Sequence, residues 1–201
     1  MSLLKTSLFL WFQNKYIKHQ IHVVSEFLEG SKRILDFGCG DATLTCALKR
    51  KYPKKQFVGL DVVRVTPVCK NVSFQIYDGV KLPYSPHSFD TIIIYHVFHH
   101  CENVPMLLRQ CADIARIRIV IIEAVVRSDT DIPGLRILDT LLNFWRPHKI
   151  AMPFHFLTKS RWHTLFDDAG LTVETERNAG FLPSWLPIGG TVVFSLIPKK
   201  T

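Results

Sequence analysis

From residue 33 onward, short apolar runs alternate with stretches patterned as helix, and this alternation constrains the fold more than any other feature of the chain. Residues 33–37, 56–61, 72–77, 90–95, 117–126, 171–175 and 191–197 read as strands. Residues 43–51, 104–115, 134–144 and 159–169 repeat their apolar positions at helical spacing, with Pro53 and Gly170 placed where helices stop. The run 90–95 is rich in β-branched residues, the mark of a strand covered on both faces. Parallel strands need a crossover between them, and a helix is the usual one. The order therefore predicts an α/β fold with a mostly parallel sheet and helices on both faces. Such a sheet leaves a ligand crevice at the carboxyl ends of its strands, where the strand order reverses. Before residue 31 lies a separate segment, 1–30, whose Leu4, Leu8, Phe12, Ile17, Ile21, Val24, Phe27 and Leu28 make one apolar helical face that Gly30 stops. It is expected to pack over the crevice as a lid on a domain formed by residues 31–201.

The segment Asp36-Phe-Gly38-Cys-Gly40-Asp-Ala42-Thr43 follows the first strand and opens a helix. Glycines there let the backbone pass close to a ligand. A dinucleotide site wants a third small residue at the helix start, and Thr43 breaks that pattern. Charge argues the same way. Asp36 and Asp41 repel a pyrophosphate and attract a cation. S-adenosylmethionine carries an ammonium and no phosphate. Asp61 ends the second strand, where a carboxylate can accept both ribose hydroxyls. Asp78 follows the third strand and reads equally as an acceptor for an adenine amino group or as the first residue of an Asp-Gly turn with Gly79.

Three stretches carry a resemblance: Ile34-Leu-Asp-Phe-Gly-Cys-Gly40, then Gly59-Leu-Asp61, then Asp78-Gly-Val-Lys-Leu-Pro-Tyr-Ser-Pro-His-Ser-Phe-Asp90. In order and spacing the chain resembles the class I S-adenosylmethionine-dependent methyltransferases over roughly residues 31–175. The stretch Tyr95-His-Val-Phe-His-His-Cys101 is similar to the segment after that family's fourth strand. The resemblance implies a Rossmann-like seven-stranded sheet with one antiparallel strand near its edge, and S-adenosylmethionine as cofactor. It implies contacts from Gly38, Gly40, Asp61 and Asp78; Asp36, Cys39, Val62, Gly79 and Tyr95, flanking them at the strand ends, complete the expected cofactor set. Ala42 stands where many members carry a third glycine, and alanine is small enough for binding.

Methyl transfer from a sulfonium needs a positioned nucleophile and, for some acceptors, removal of its proton. Histidines crowd the region expected to hold the acceptor: His96, His99, His100, His148 and His155. A neutral imidazole is the natural base for a hydroxyl, and His100 and His155 are the expected catalytic residues. Adjacent His99 and His100 lack chelating spacing and no second carboxylate accompanies them, so no metal is expected. Glu123 ends the fifth strand, and Trp145, Phe154, Phe156 and Trp162 are available as apolar walls.

Composition narrows the partners. The net charge is +8, but residues 1–60 hold ten Lys/Arg against four acids, and the densest group is Lys49, Arg50, Lys51, Lys54 and Lys55. That group sits at the far end of the first helix after the glycine turn, away from the crevice, where cations complement the helix dipole. A small-molecule acceptor is therefore expected over nucleic acid or protein. Charged residues interrupt every apolar stretch before a membrane span accumulates. The apolar run 7–12 has one Lys before it and no small-residue cleavage site behind it, so it does not read as a signal peptide. Five cysteines without metal spacing read as reduced thiols of a cytoplasmic protein.

Overall fold

The computed structural model describes residues 15–63, 68–143, 155–180 and 190–199. Helix α1 spans residues 15–25 of that set. The remaining elements are β1 (Arg33–Phe37), α2 (Thr43–Lys51), β2 (Gln56–Asp61), β3 (Ser73–Ile76), β4 (Phe89–Tyr95), α3 (Val104–Ile114), β5 (Ala115–Val126), α4 (Ile132–Asn143), β6 (Leu157–Thr158), α5 (Lys159–Asp168), β7 (Leu171–Asn178) and β8 (Gly190–Pro198). Short 3₁₀ turns lie at Phe98–His100 and Asp129–Asp131.

The sheet runs β3-β2-β1-β4-β5-β8-β7, with the two-residue β6 paired to β5. β1, β2, β3, β4 and β5 pair in parallel, and β8 is antiparallel to both β5 and β7. The expected single antiparallel strand next to the edge is thus present. Chain order runs outward from β1 to β2 and β3, then resumes on the other side with β4 and β5. The switch point lies between β1 and β4.

Alternation along the strands divides the core. Leu35 and Phe37 of β1 face one side, with Leu107, Leu108, Trp162 and Phe166 of α3 and α5. Ile34, one residue away, faces the other side with Val23, Val24, Phe27, Leu28, Leu44 and Leu48 around α1 and α2. A period of two in the strands produces this two-faced burial. Helix starts follow their chemistry. Asn103 caps α3 by accepting the Met106 N–H at 3.0 Å, and Thr158 caps α5 by accepting that of Arg161 at 3.4 Å. Asp90, from the Phe-Asp stretch, is structural: its Oδ2 accepts the backbone N–H groups of Lys32 (2.7 Å) and Arg33 (3.0 Å), and Arg116 pairs with its Oδ1.

Two features depart from or refine the sequence expectations. Cys46 of α2 and Cys69 form a disulfide, which corrects the expectation that every cysteine is a reduced thiol; Cys39, Cys101 and Cys111 are free. The partners are 23 residues apart, a spacing that carries no motif, and Cys69 lies in the segment between β2 and β3. The basic group is partly spent inside the fold. Lys55 donates to the carbonyls of Leu28 (2.8 Å) and Ser31, Lys49 to those of Pro53 and Lys55 (both 2.9 Å), and Lys51 to Ser25 Oγ (2.9 Å). Lys51 and Lys55 tie the end of α2 and the loop after it to α1 and the segment that follows α1, and Lys49 closes that loop on itself.

Candidate active site

Every carboxyl end flanking the switch point carries part of the expected site. The chain leaves β1 through Gly38 (φ 72°) and Gly40 (φ 56°), and Ala42 also sits in the left-handed region (φ 61°) just before α2. The amides of Gly38 and Cys39 donate to Leu60 O at 2.8 and 3.2 Å, which fastens the turn to β2. Asp61 then clamps it. Oδ2 accepts the Gly40 N–H at 2.7 Å, and Oδ1 accepts the Val63 N–H at 3.0 Å. Cys39 packs its Sγ beside Gly59, where a Cβ would stand 2.7 Å from it. Val62 is half exposed and lies beside Gly79, so β2 and β3 present neighbouring ends.

The carboxylates differ in environment. Asp36 is 2 % exposed and accepts the Thr45 hydroxyl at 2.5 Å. Burial, opposed by the Thr45 bond and aided by Asp61, pushes its pKa up to about 7. Asp41 is exposed and accepts the Thr43 N–H at 3.0 Å. Asp78 is exposed, and its Oδ1 accepts both the Val80 and Lys81 N–H groups at 2.8 Å. It shapes the turn at the end of β3, the second of its two sequence readings, and those amides hold its carboxyl below the usual range.

Tyr95 ends β4, and α1 reaches it. The ring of Tyr16 stands edge-on to that of Tyr95 at 6.4 Å. Burial, with Tyr16 adding to it, raises the phenol well above its ordinary pKa. One turn further on, α1 is held by His19, whose Nε2 lies 2.9 Å from Ala179 O.

Beyond Tyr95 the chain meets Glu123. The parallel register places Tyr95 opposite Ile122, so the residues after β4 face the next residue of β5. Glu123 is fully buried. Its Oε1 accepts the Val97 and Phe98 N–H groups, both at 2.7 Å, and its Oε2 lies 2.6 Å from His99 Nδ1 and 4.0 Å from His96 Nδ1. Burial alone would raise this carboxyl, but His99, His96 and the amides outweigh it and hold it below the usual range. His99 is buried and stacks on Phe156 at 5.1 Å. His100 is half-buried with its ring 4.0 Å from that of His99. His155 is exposed and approaches only through its backbone, its N–H donating to His99 O at 3.1 Å. Trp162 is core, packed on Phe98, Phe166 and Phe194. His148, Trp145 and Phe154 lie outside the described residues. Sequence reasoning missed the Glu123–His99 pair. The available signal was a lone carboxylate inside the apolar run 119–126 of β5.

A family model described as a methyltransferase domain matches residues 9–176 of this chain. The chain belongs to the S-adenosylmethionine-dependent methyltransferase family. A further match is to demethylmenaquinone methyltransferase of Thermotoga maritima, 26% identical over 199 residues, which are 92% of this chain and 85% of that protein. Ribosomal RNA small subunit methyltransferase C of Pseudomonas entomophila is 34% identical over 83 residues, 37% of this chain. The match spans only 25% of that relative, and 23% of two others of the same name from Pseudomonas syringae. Among solved structures, 1,6-didemethyltoxoflavin-N1-methyltransferase of Burkholderia thailandensis, with its acceptor and S-adenosylhomocysteine bound, superposes with a TM-score of 0.65 at 15% identity, covering 95% of this chain and 81% of that one.

The cofactor of this methyltransferase domain is S-adenosylmethionine, and the residues present fit it. Among the described residues nothing lies within 4 Å of where a Cβ on Gly40 would stand, so they leave the turn open toward a ligand. Asp36, Asp41 and Asp61 surround it with negative charge suited to an ammonium and a ribose. Asp61→Ala removes the acceptor for the Gly40 and Val63 amides. It is expected to weaken S-adenosylmethionine binding by about 1.5–3 kcal/mol, the worth of hydrogen bonds to a charged group. Calorimetric titration measures this, and unchanged affinity removes Asp61 from the site.

Proposed function

We propose that the domain transfers a methyl group to a small-molecule acceptor above the carboxyl ends of β4 and β5. The observation that carries this reading is the cover over Tyr95: α1 sets the ring of Tyr16 edge-on to it. A mouth roofed by a helix suits a small ligand better than a nucleic-acid strand. The extended similarity to a demethylmenaquinone methyltransferase supports the same class, whereas the ribosomal RNA methyltransferases share only a quarter of their length. The basic residues oppose an RNA reading, because they lie at the far end of α2 and three of their ammonium groups bond within the fold.

Bound S-adenosylmethionine supplies an electrophilic methyl for in-line displacement. Asp36, Gly38, Cys39, Gly40, Asp61, Val62, Asp78, Gly79 and Tyr95 are assigned to hold and orient the cofactor. Residues 1–30 act as the lid, and His100 is assigned the acceptor's proton, with His155 orienting the acceptor. Incubation with S-adenosylmethionine and a panel of hydroxylated aromatic compounds, in parallel with ribosomal RNA, tests the class. S-adenosylhomocysteine should form with a small acceptor; formation with RNA alone overturns the reading. His100→Ala should lower turnover by about 100-fold with cofactor binding retained, and His155→Ala should lower it less. Removing residues 1–20 takes away Tyr16 and Gln20 and should raise the KM for the acceptor; an unchanged KM overturns the lid.

A further inference from the structure

We propose that His96, His99 and Glu123 bind one divalent transition-metal ion of borderline softness, of the Zn²⁺ or Co²⁺ kind, at the carboxyl ends of β4 and β5. The three donor atoms come from separate positions of the chain and lie within 4.8 Å of one another. Glu123 uses Oε1 for the Val97 and Phe98 amides, which leaves Oε2 as the atom on which both imidazoles converge. The amides supply the outer hydrogen bonds that ligating carboxylates generally carry.

The two histidine distances are informative together. His96 Nδ1 is 4.0 Å from Oε2, beyond hydrogen-bond reach. Two donors each about 2.0–2.2 Å from a tetrahedral ion stand about 3.3–3.6 Å apart, so His96 closes by about half an ångström onto the ion, a movement its partly exposed side chain permits. His99 Nδ1 at 2.6 Å from Oε2 is a hydrogen bond, with a proton in the place of the ion. On binding, that proton leaves to solvent, and a small rotation opens the contact to the roughly 3.3 Å of a tetrahedral ligand pair. Two imidazoles and one carboxylate select borderline ions over Mg²⁺ or Ca²⁺, which prefer all-oxygen sites. The His96 side chain is 27 % exposed, and it gives the ion a path into a site whose other members are buried.

The test uses the untagged full chain after chelator treatment and dialysis. Titration with Co²⁺, followed by visible d–d absorption, and with Zn²⁺ by calorimetry should saturate at one ion per chain. His96→Asn keeps a residue tolerant of the left-handed backbone at this position (φ 54°) and removes a ligand. It should weaken binding at least 10-fold, as should Glu123→Gln, while the same change at exposed His22 leaves affinity unaltered. Circular dichroism establishes that the variants are folded, and His96→Asn decides the matter if Glu123→Gln is not. Absence of a one-equivalent step in the unaltered protein, or equal affinity in His96→Asn, overturns the proposal. Metal affinity is read without any methyl acceptor, so the result stands apart from the proposed transfer reaction.

Discussion

Gly38→Ala is expected to lose about 2–5 kcal/mol of folding stability, the sum of a left-handed backbone cost of about 1–2 and an overpacking cost of about 1–3. A Cβ at Gly38 would stand 2.4 and 2.5 Å from the two γ-carbons of Val97 and 3.0 Å from its Cβ. Valine is stiff about χ1 and cannot swing aside freely. Its backbone is held too, because the Val97 N–H donates to buried Glu123. The clash therefore passes from the glycine turn to the Glu123–His99 cluster. Gly40→Ala is the control: its φ is also positive, but nothing lies within 4 Å of the new carbon, so only the backbone cost applies. Urea denaturation of both variants checks the difference. Val97→Ala in the Gly38→Ala background should recover the steric part, and equal losses in the two single variants contradict the contact.

Asp36→Asn is expected to stabilise the protein in a pH-dependent way. The folded carboxyl has its pKa raised to about 7, above its value in the unfolded chain. The folded state therefore holds the proton more tightly, and the unaltered protein loses stability as pH rises from about 4 to 7. Asparagine stays neutral and still accepts the Thr45 hydroxyl, so the variant escapes this loss. At pH 8 its advantage approaches about 4 kcal/mol, three pKa units at 1.36 kcal/mol each, and near pH 4 it vanishes. Urea melts at pH 4.5 and pH 8 measure this, and a difference independent of pH removes the titration of Asp36 as its cause. The same variant should bind S-adenosylmethionine more weakly, since it lacks the anion assigned to the ammonium. Gain of stability with loss of affinity marks a buried charge kept for its ligand.

The succession of strands and helices along the chain and the places of Gly38, Gly40 and Asp61 at strand ends were legible because each follows from local chemistry. A β-branched run, a glycine after a strand and a carboxylate at a strand end are properties of a few consecutive residues. Boundaries moved by at most a few residues, as at β7, which runs to Asn178 beyond the expected 175. The turn role of Asp78 is visible in the structure, where its carboxylate meets the amides of Val80 and Lys81, a contact that local spacing permits but does not require.

Sequence by itself determined the alternating pattern, the two-faced sheet and the carboxylate-lined glycine turn, since periodicity and turn chemistry act over short range. Tertiary structure alone decided the rest. Glu123 meets His99 across 24 residues because β4 and β5 pair in parallel. Tyr16 meets Tyr95 because Val23 and Val24 of α1, with Phe27 and Leu28 just after it, are buried against the sheet. Cys46 of α2 reaches Cys69, in the segment after β2, across 23 residues of sequence. Packing and strand register set each of these long-range encounters, and neither is a property of the residues that meet.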